Sequence, residues 1–261
     1  MPPALGAERP ATGPPPLTGE RTWPDIPSEN YWFRRHLAVY GWVATQIASQ
    51  GPGPLLDAGS GEGYGAAELA HSCAREVTAV ELDPDTVRHV RDRYRRLQTL
   101  RANLVAMPFR AGVFAATVSL QVVEHIWDPL TYLRELARCT DGPIFLSTPN
   151  RPVHSPHLAP GQRPDNIFHV REFDEAELVE LLHRADPLRS PQVLGLRHGP
   201  AITAWECDHG SLPRALLEDQ PMATSFAYRL REDDFRIVPM VSDESARACH
   251  DLIVSWKIER G

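Results

Sequence analysis

The sequence is very poor in lysine. Of its 27 basic residues, Lys257 is the one lysine, and the others are arginine. A mechanism that needs a catalytic lysine, such as a Schiff base or a phosphate-loop lysine, would have to use Lys257. This residue lies in an apolar, strand-like run close to the last residue, which is a poor place for either role. The sequence therefore argues against lysine chemistry.

Other features that the sequence lacks limit its location and partners. No apolar run approaches the roughly 18 residues of a membrane span, and the first 17 residues lack the basic and apolar regions of a secretory signal. The net charge of −7 argues against nucleic-acid binding. The cysteines are far apart and form no Cys-x-x-Cys pair, so they predict neither a disulfide framework nor a cysteine zinc site. We expect a reduced, cytoplasmic protein without a membrane span. The four cysteines are Cys73, Cys139, Cys207 and Cys249.

The chain of 261 residues is predicted to form one main domain. Residues 1–27 contain eight of the 25 prolines, which predicts a disordered or extended arm before a single domain over 28–261. An amphipathic, aromatic-rich helix is predicted first, and strand and helix patterns then alternate. The predicted segments are the helix 28–50, the alternating region 54–198, an irregular insertion 199–250 with a short helix near 212–219, and a last strand 251–258.

The alternation of strands and helices predicts an α/β fold with a mainly parallel sheet and helices on both faces. Strand patterns are found at 55–59, 77–82, 102–106, 114–122, 143–148, 191–198 and 251–258. Helix patterns are found at 64–73, from Asp83 to about Leu97, from Asp128 to about Cys139, and at 174–185, where Asp174 and Glu177 form a capping box.

A glycine-rich turn follows the first strand. Asp57 is followed by Gly59, Gly61 and Gly63, which allow the backbone to turn tightly and to approach a ligand. A dinucleotide fold would place its third glycine one residue later, and the acidic Glu62 is poorly suited to a pyrophosphate. The turn therefore fits a ligand without phosphates, although a purely structural turn would show the same glycines.

A second acidic residue strengthens this interpretation. Glu81 ends the next strand, where a carboxylate can accept two hydrogen bonds from a ribose diol, and Leu82 can cover one face of a purine. Taken alone, Glu81 could be a solvated strand end. Together with the glycine turn it predicts a nucleoside ligand.

These segments resemble the class I S-adenosylmethionine-dependent methyltransferases. The resemblance rests on LLDAGSGEG, VTAVELDP, NLVAMPF, VSLQVVEHIWDP and FLSTPNR, and it covers about residues 54–198 and 251–258. It implies a doubly wound, seven-stranded Rossmann-like sheet with an antiparallel last strand, and S-adenosyl-L-methionine as the cofactor. It also implies that the segment from Asp57 to Gly63 holds the methionine end of the cofactor and that Glu81 holds the ribose. By the same resemblance, Asn103 contacts the adenine, Ala106 and Met107 flank the adenine ring, and Gln121 lies near the transferred methyl group.

Three histidines are candidates for the base that helps to deprotonate an acceptor hydroxyl: His169, His125 and His154. His125 follows the fourth strand, where the family's Glu-His pair is often structural. His154 and His169 belong to the long loop 149–172, where the fold builds its acceptor pocket. His169 could instead anchor this loop. Two histidines and a carboxylate could also hold a metal, but the spacing fits no rigid template, and we expect no metal.

The segment RTWPDIPSENYWFRRHLAVYGW resembles enzymes that methylate sugars, in particular those acting on the mycofactocin oligosaccharide. The resemblance implies an oligosaccharide hydroxyl as the acceptor. Tyr31 and Trp32 could stack on sugar faces, although the aromatic residues of such a helix more commonly belong to the core. Arg34, Arg35 and His36 could instead hold the cofactor carboxylate or the acceptor. A phenol, amine or lipid acceptor, or a non-catalytic relative that binds the cofactor, are the alternatives. The sequence does not predict the oligomeric state.

Overall fold

The computed structural model describes residues 21–240 and 248–258. Its strands are β1 (Leu55–Ala58), β2 (Val77–Glu81), β3 (Gln98–Arg101), β4 (Ala116–Leu120), β5 (Ile144–Pro149), β6 (Arg189–His198), β7 (Phe235–Pro239) and β8 (Asp251–Ile258). Its α-helices are α1 (Asn30–Ala48), α2 (Tyr64–Cys73), α3 (Pro84–Arg93), α4 (Pro129–Cys139), α5 (Arg151–His154), α6 (Glu175–Ala185), α7 (Pro200–His209), α8 (Leu212–Leu217) and α9 (Pro221–Ala227). Short 3-10 turns cover Pro27–Glu29, Val123–His125 and Glu232–Asp234.

The strands form one mixed sheet in the order β3-β2-β1-β4-β5-β8-β6-β7. The first five of these are parallel, β8 is antiparallel to both β5 and β6, and β7 is antiparallel to β6. The predicted α/β class and the antiparallel last strand are therefore confirmed. The sheet has eight strands where seven were expected. The additional strand β7 is a short edge strand that ends in Pro239. It lies within residues 199–250, for which the sequence predicts an irregular insertion.

Both faces of the sheet carry a hydrophobic core because neighbouring strand residues point to opposite faces. Leu55 packs with α1 and α2 on one face, together with Val43 and Leu69. The next residue, Leu56, packs on the other face with leucines of α4 and α6 such as Leu133 and Leu178. This arrangement places the ends of the central strands β1 and β4 between two layers of helices.

Side chains that cap helices define several predicted helix starts. Asp83 accepts a hydrogen bond from the nitrogen of Thr86 at 2.7 Å, and Asp128 accepts one from Thr131 at 3.0 Å. Asp174 and Glu177 form the predicted capping box at the start of α6. Because caps are local interactions, the sequence predicts these starts correctly.

The end of α3 and the position of β3 differ from the prediction. The helix ends at Arg93, before the predicted Leu97, because the backbone leaves the helical region at Tyr94. The following strand is therefore Gln98–Arg101, where a strand at 102–106 was expected. At this point the hydroxyl of Tyr94 donates to Oε2 of Glu62 in the glycine turn at 2.8 Å.

The insertion after β6 is more regular than expected, since its described residues form the α-helices α7, α8 and α9 and the strand β7 where one short helix was predicted. Its residues 241–247 lie outside the described part of the chain, as do residues 1–20 of the predicted arm. The described end of that arm packs against the domain: Trp23 is 3% exposed and meets the ring of His89 edge to face. Across the described ranges, no helix has both the length and the apolar character that crossing a bilayer requires.

Candidate active site

A cavity of about 470 Å³ opens at the carboxyl ends of β1, β2 and β4. This is the edge where open α/β sheets bind ligands, and the volume lies in the range of small-molecule sites. Its wall is formed by the glycine turn, by residues at the ends of β2 and β3 and just after them, by the turn after β4, and by α1. The lining residues are Arg21, Thr22, His36, Tyr40, Gly59, Ser60, Gly61, Glu62, Tyr64, Glu81, Leu82, Asp83, Pro84, Arg101, Asn103, Leu104, Leu120, Gln121, Val122, His125 and Ile126.

The glycine turn requires glycine for both conformation and space. Gly59 has a φ of +84°, and an added Cβ would lie 2.5 Å from Cγ2 of Val122. Gly63 has a φ of +95° and immediately precedes α2, and a Cβ there would lie 2.9 Å from Cγ1 of Val90. Residues with a side chain rarely adopt these φ values. The turn therefore brings its backbone close to the cavity at Gly59 and Gly61.

The carboxylate of Glu81 is buried at the cavity wall. Its Oε2 accepts a hydrogen bond from the nitrogen of Gly61 at 3.1 Å, and its Oε1 accepts from the nitrogens of Leu82 and Asp83 at 2.9 and 3.1 Å. The guanidinium of Arg21 lies 3.4 Å from the same Oε1. These contacts fix the orientation of a carboxylate at the position that a ribose diol would need.

Asp57 lies below the cavity, and its side chain does not form part of the wall. It pairs in register with Ala79 of β2 and Val118 of β4, and the hydroxyl of Tyr40 donates to its two oxygens at 3.3 and 3.2 Å. Burial raises the pKa of Asp57 to about 7, against the lowering effect of the Tyr40 hydrogen bond. Asp57 thus connects the central strand to α1 and supports the turn from beneath.

The other acidic residue of the turn, Glu62, has its carboxylate bound to α3 and the residue after it. Oε1 lies 2.7 Å from Nε2 of His89, and Oε2 accepts from the hydroxyl of Tyr94. Burial raises the pKa of Glu62 above its ordinary value, while its hydrogen bonds to His89 and Tyr94 oppose this. The carboxylate therefore joins the turn to the helix.

The apolar side of the cavity differs in part from the sequence expectation. Leu82 is 58% exposed and forms the wall together with Leu104 and Asn103, whose Oδ1 accepts from the nitrogen of Val105 at 3.1 Å. The structure does not bring the expected adenine neighbours to this wall. Met107 is buried in the core that includes the leucines of α4 and α6, and the nitrogen of Ala106 donates to the carbonyl of Asn103. Leu104, which lies between Asn103 and these two residues in the sequence, lines the cavity.

Gln121 lies at the wall directly after β4, as expected. Its backbone has a φ of +56°, and its Nε2 donates to Oγ of Ser147 at 3.0 Å. Ser147 belongs to β5, which pairs with β4. The amide of Gln121 is therefore held in one orientation at the centre of the carboxyl edge.

Of the α1 residues proposed for ligand contact, His36 reaches the cavity. Its Nδ1 lies 2.6 Å from the hydroxyl of Tyr64, and burial lowers the pKa of His36 to about 4, which keeps the imidazole neutral. Tyr31 is fully buried, with its hydroxyl 2.7 Å from Nε2 of His198. Tyr31 therefore belongs to the core, which is the commoner of the two roles expected for the aromatic residues of this helix.

The other α1 residues also pack away from the cavity. Arg35 is buried in an ion pair with Asp251 at the start of β8, and Arg34 pairs with Glu232 at 2.6 Å. Trp32 packs against the core beside Tyr31. These side chains stabilise the position of α1, and none of the three lines the cavity described above.

Two of the three candidate histidines come together beside the cavity. The rings of His125 and His169 lie 5.0 Å apart, edge to face. Nδ1 of His125 lies 2.9 Å from the carbonyl oxygen of Phe168, and Nδ1 of His169 lies 2.7 Å from Oε1 of the buried Glu172. A neutral imidazole that donates its Nδ1 proton in this way keeps a lone pair on Nε2.

His154 lies elsewhere. Its Nε2 is 2.9 Å from the carbonyl oxygen of His250 and 3.5 Å from the Arg35 guanidinium. The structure therefore separates His154 from the pair formed by His125 and His169.

Glu124 is a functional candidate that the sequence reasoning did not single out. Its Oε2 accepts from the hydroxyl of Thr148 at 3.0 Å, while its Oε1 is buried without a hydrogen-bond partner among the described residues. Burial raises the pKa of Glu124 to about 7, and the neighbouring His169 opposes this rise. Arg21 and Tyr40 were also missed. The aromatic richness of α1 was the one available signal for Tyr40.

The sheet order and the position of the cavity define a Rossmann-like, nucleoside-binding class of protein. Residues 56–142 match the family described as the methyltransferase domain. A probable S-adenosylmethionine-dependent methyltransferase of Mycobacterium tuberculosis is 42% identical over 196 residues, which cover 74% of this chain and 69% of that protein. A second, from Mycolicibacterium smegmatis, is 39% identical over 235 residues, which cover 86% of this chain and 88% of that protein.

The fold is also that of a solved structure from Thermotoga maritima, described as a possible histamine N-methyltransferase. The match has a TM-score of 0.56 at 13% identity and covers 88% of this chain and 96% of that one. This likeness shows the fold alone. With the sequence relatives, however, the chain belongs to the S-adenosylmethionine-dependent methyltransferases. It is a methyltransferase whose cofactor is S-adenosylmethionine.

Proposed function

We propose that the chain transfers a methyl group from S-adenosylmethionine to a hydroxyl of a sugar, and that the natural acceptor is an oligosaccharide of the mycofactocin type. The observation that carries the proposal is the pair of imidazoles, His125 and His169, beside the cofactor cavity, with Glu172 behind His169. A hydroxyl stays protonated at neutral pH, so its methylation gains from groups that help to remove the proton.

The cofactor fits the donor set of the cavity. We assign the ribose diol to the Glu81 carboxylate and the adenine to the apolar wall at Leu82 and Leu104, with Asn103 at the ring edge. The backbone of Gly59 and Gly61 faces the methionine end, and Asp57 and Gly63 support this turn from below and from the side. Gln121 lies near the reacting methyl group. Ala106 and Met107 are given no direct contact.

When bound, S-adenosylmethionine supplies a methyl group on a positively charged sulfur. With the cofactor held at Glu81 and the glycine turn, the acceptor oxygen would bond to the methyl carbon, the carbon–sulfur electron pair would stay on sulfur, and the hydroxyl proton would leave. The chain aligns the two reactants, which supplies much of the rate gain. His125 and His169 can assist departure of the proton either by accepting it or by holding a cation that acidifies the hydroxyl.

The acceptor side of the cavity supports a polyhydroxylated substrate. The loop that supplies His169 also presents the exposed amide of Asn166, which lies 3.0 Å from Nε2 of His169. Imidazole, amide and carboxylate groups suit several hydroxyls better than they suit an apolar lipid. We also propose a cytoplasmic location, since the cysteines are far apart in the sequence and form no Cys-x-x-Cys pair.

The proposal is tested by turnover with a radiolabelled methyl donor and a panel of acceptors. We expect methylation of glucose oligosaccharides in preference to phenols, amines and lipids. Alanine at His125 or His169 should lower kcat by about 100–10,000-fold, and alanine at His154 should have a smaller effect. His157→Ala is the matched control, because this exposed histidine pairs with Asp165 elsewhere in the same loop.

Two results would contradict the proposal. Preferred methylation of an amine or a lipid would exclude the sugar acceptor, and wild-type turnover in all three histidine variants would exclude a role for these imidazoles. Calorimetry with S-adenosylmethionine accompanies each assay, so that loss of cofactor binding is separated from loss of chemistry.

A further inference from the structure

Three potential metal ligands meet beside the cofactor cavity: Glu124, His125 and His169. One ligand atom from each lies within 4.8 Å of the other two. Glu124 and His125 belong to the turn after β4, while His169 comes from the loop after β5. The nitrogen of Val170 donates to the carbonyl oxygen of Glu124 at 2.7 Å, which holds the loop against the turn.

One carboxylate oxygen of Glu124 has no hydrogen-bond partner among the described residues. The residue is 1% exposed, and while Thr148 donates to Oε2, the buried Oε1 has no hydrogen-bond partner. A buried polar atom without a partner costs roughly 1–3 kcal/mol, and more when it is charged. One oxygen of this carboxylate lies within 4.8 Å of a ring nitrogen of each histidine, so a cation between the three side chains would give the carboxylate a further partner.

The two histidines are oriented as metal-binding histidines usually are. Such residues donate their second ring N–H to a carboxylate or a backbone carbonyl, which fixes the tautomer and the ring orientation. Glu172 plays this part for His169, and the carbonyl of Phe168 plays it for His125. Nε2 of each ring then keeps its lone pair. At His169 this lone pair is met by the side-chain amide of Asn166, an exposed group that a cation would displace.

We propose that Glu124, His125 and His169 form a binding site for a divalent transition-metal cation that holds the acceptor hydroxyl beside the cofactor cavity. Two imidazoles and one carboxylate suit Mn²⁺, Fe²⁺, Co²⁺ or Zn²⁺ better than Mg²⁺ or Ca²⁺, which prefer oxygen ligands. The binding site stands on its own geometry, whereas the role toward the hydroxyl rests on the proposed function. This proposal replaces the sequence expectation that no metal is bound.

With a cation at this site, the histidines hold the metal and do not themselves accept the proton of the hydroxyl. A hydroxyl bound to a divalent cation loses its proton to water more readily. Its oxygen then attacks the methyl carbon, and the carbon–sulfur electron pair stays on sulfur. His125 and His169 are thus ligands in this scheme, and Glu172 is a positioning residue that acts through His169.

The test is a titration of the full chain with Mn²⁺ after a chelator has removed bound metal. Electron paramagnetic resonance measures the Mn²⁺ that remains free. We expect one Mn²⁺ per chain, displaced by Zn²⁺ and not by equimolar Mg²⁺. Glu124→Gln, His125→Ala and His169→Ala should each weaken binding by more than about 10-fold, and Glu172→Gln by about 10–100-fold. His157→Ala should bind as the wild type does.

Circular dichroism and calorimetry with S-adenosylmethionine identify variants that have lost their fold, and Glu172→Gln leaves all three ligands in place. No Mn²⁺ or Zn²⁺ binding by the wild type, or equal binding by wild type and ligand variants, overturns the site. A chelated enzyme that methylates sugars at the full rate overturns the cation's role and leaves the proposed function standing. Cation binding without methylation of any sugar supports the site and contradicts the sugar acceptor.

Discussion

The backbone nitrogen of Gly61 lies 3.1 Å from Oε2 of Glu81, so the glycine turn after β1 is tied directly to the end of β2. Two motifs 20 residues apart thereby form one wall of the cofactor cavity. Glu81 is consequently both a ligand-facing carboxylate and an anchor for the turn.

Replacing Glu81 should weaken cofactor binding strongly. Glu81→Gln keeps the size of the side chain but removes the charge and one acceptor, and hydrogen bonds to charged groups contribute about 1.5–3 kcal/mol each. We expect the Kd for S-adenosylmethionine to rise about 10–100-fold in calorimetry. Asp85→Asn, which changes an exposed carboxylate in the first turn of α3, is the control. Equal Kd values for the two variants would exclude the ribose assignment.

The glycines of the turn should differ in their tolerance of alanine. At Gly59 an alanine faces both a left-handed φ and the 2.5 Å approach of Val122, whereas at Gly61 the φ is +51° but no atom lies within 4 Å of the added Cβ. We expect Gly59→Ala to lower the free energy of unfolding by about 2–4 kcal/mol, from backbone strain plus overpacking. Gly61→Ala should cost about 1–2 kcal/mol. Urea unfolding checks this, and a larger cost at Gly61 would contradict it.

Asp57 should make the stability of the cofactor-free protein depend on pH. Its pKa of about 7 in the folded chain lies above its ordinary value of 3.8. A raised pKa means that the folded state binds the proton more tightly, so the contribution of Asp57 is present at low pH and is lost as the pH rises through about 7. From pH 5 to 8 the wild type should lose about 2–3 kcal/mol of unfolding free energy relative to Asp57→Asn, at 1.36 kcal/mol per pKa unit. Parallel urea-unfolding profiles of the two proteins would exclude this.

Two tryptophans offer a matched test of whether the segment before α1 belongs to the folded domain. Trp23 is 3% exposed against His89, whereas Trp127 is 87% exposed. Trp23→Ala should lower the free energy of unfolding by about 3–5 kcal/mol, and Trp127→Ala should change it by less than about 0.5 kcal/mol. If the two variants unfold alike, the segment does not contribute to the stability of the domain.

The sequence predicted correctly those structural features that depend on residues close together in the chain. The helix starts at Asp83, Asp128 and Asp174 follow from caps. The glycine turn could be predicted because it uses backbone conformations that glycine adopts more easily than other residues do. β7 was missed because a short edge strand has little hydrophobic periodicity. Met107 and Tyr31 were candidates for ligand contact, and both side chains lie in the core. An apolar or aromatic side chain looks the same in a sequence whether it faces a ligand or the core.

By itself, the sequence determined the α/β class, the order of the main helices and strands from α1 to β6, the glycine turn and the carboxylate at the end of β2. Each of these is encoded within a few residues, by periodicity, caps or backbone freedom. Only the tertiary structure decided that His125 meets His169 while His154 stays apart, and that Glu124 keeps an unpartnered oxygen beside them. Such contacts join residues more than 40 positions apart, so they depend on how the loops pack over the finished sheet.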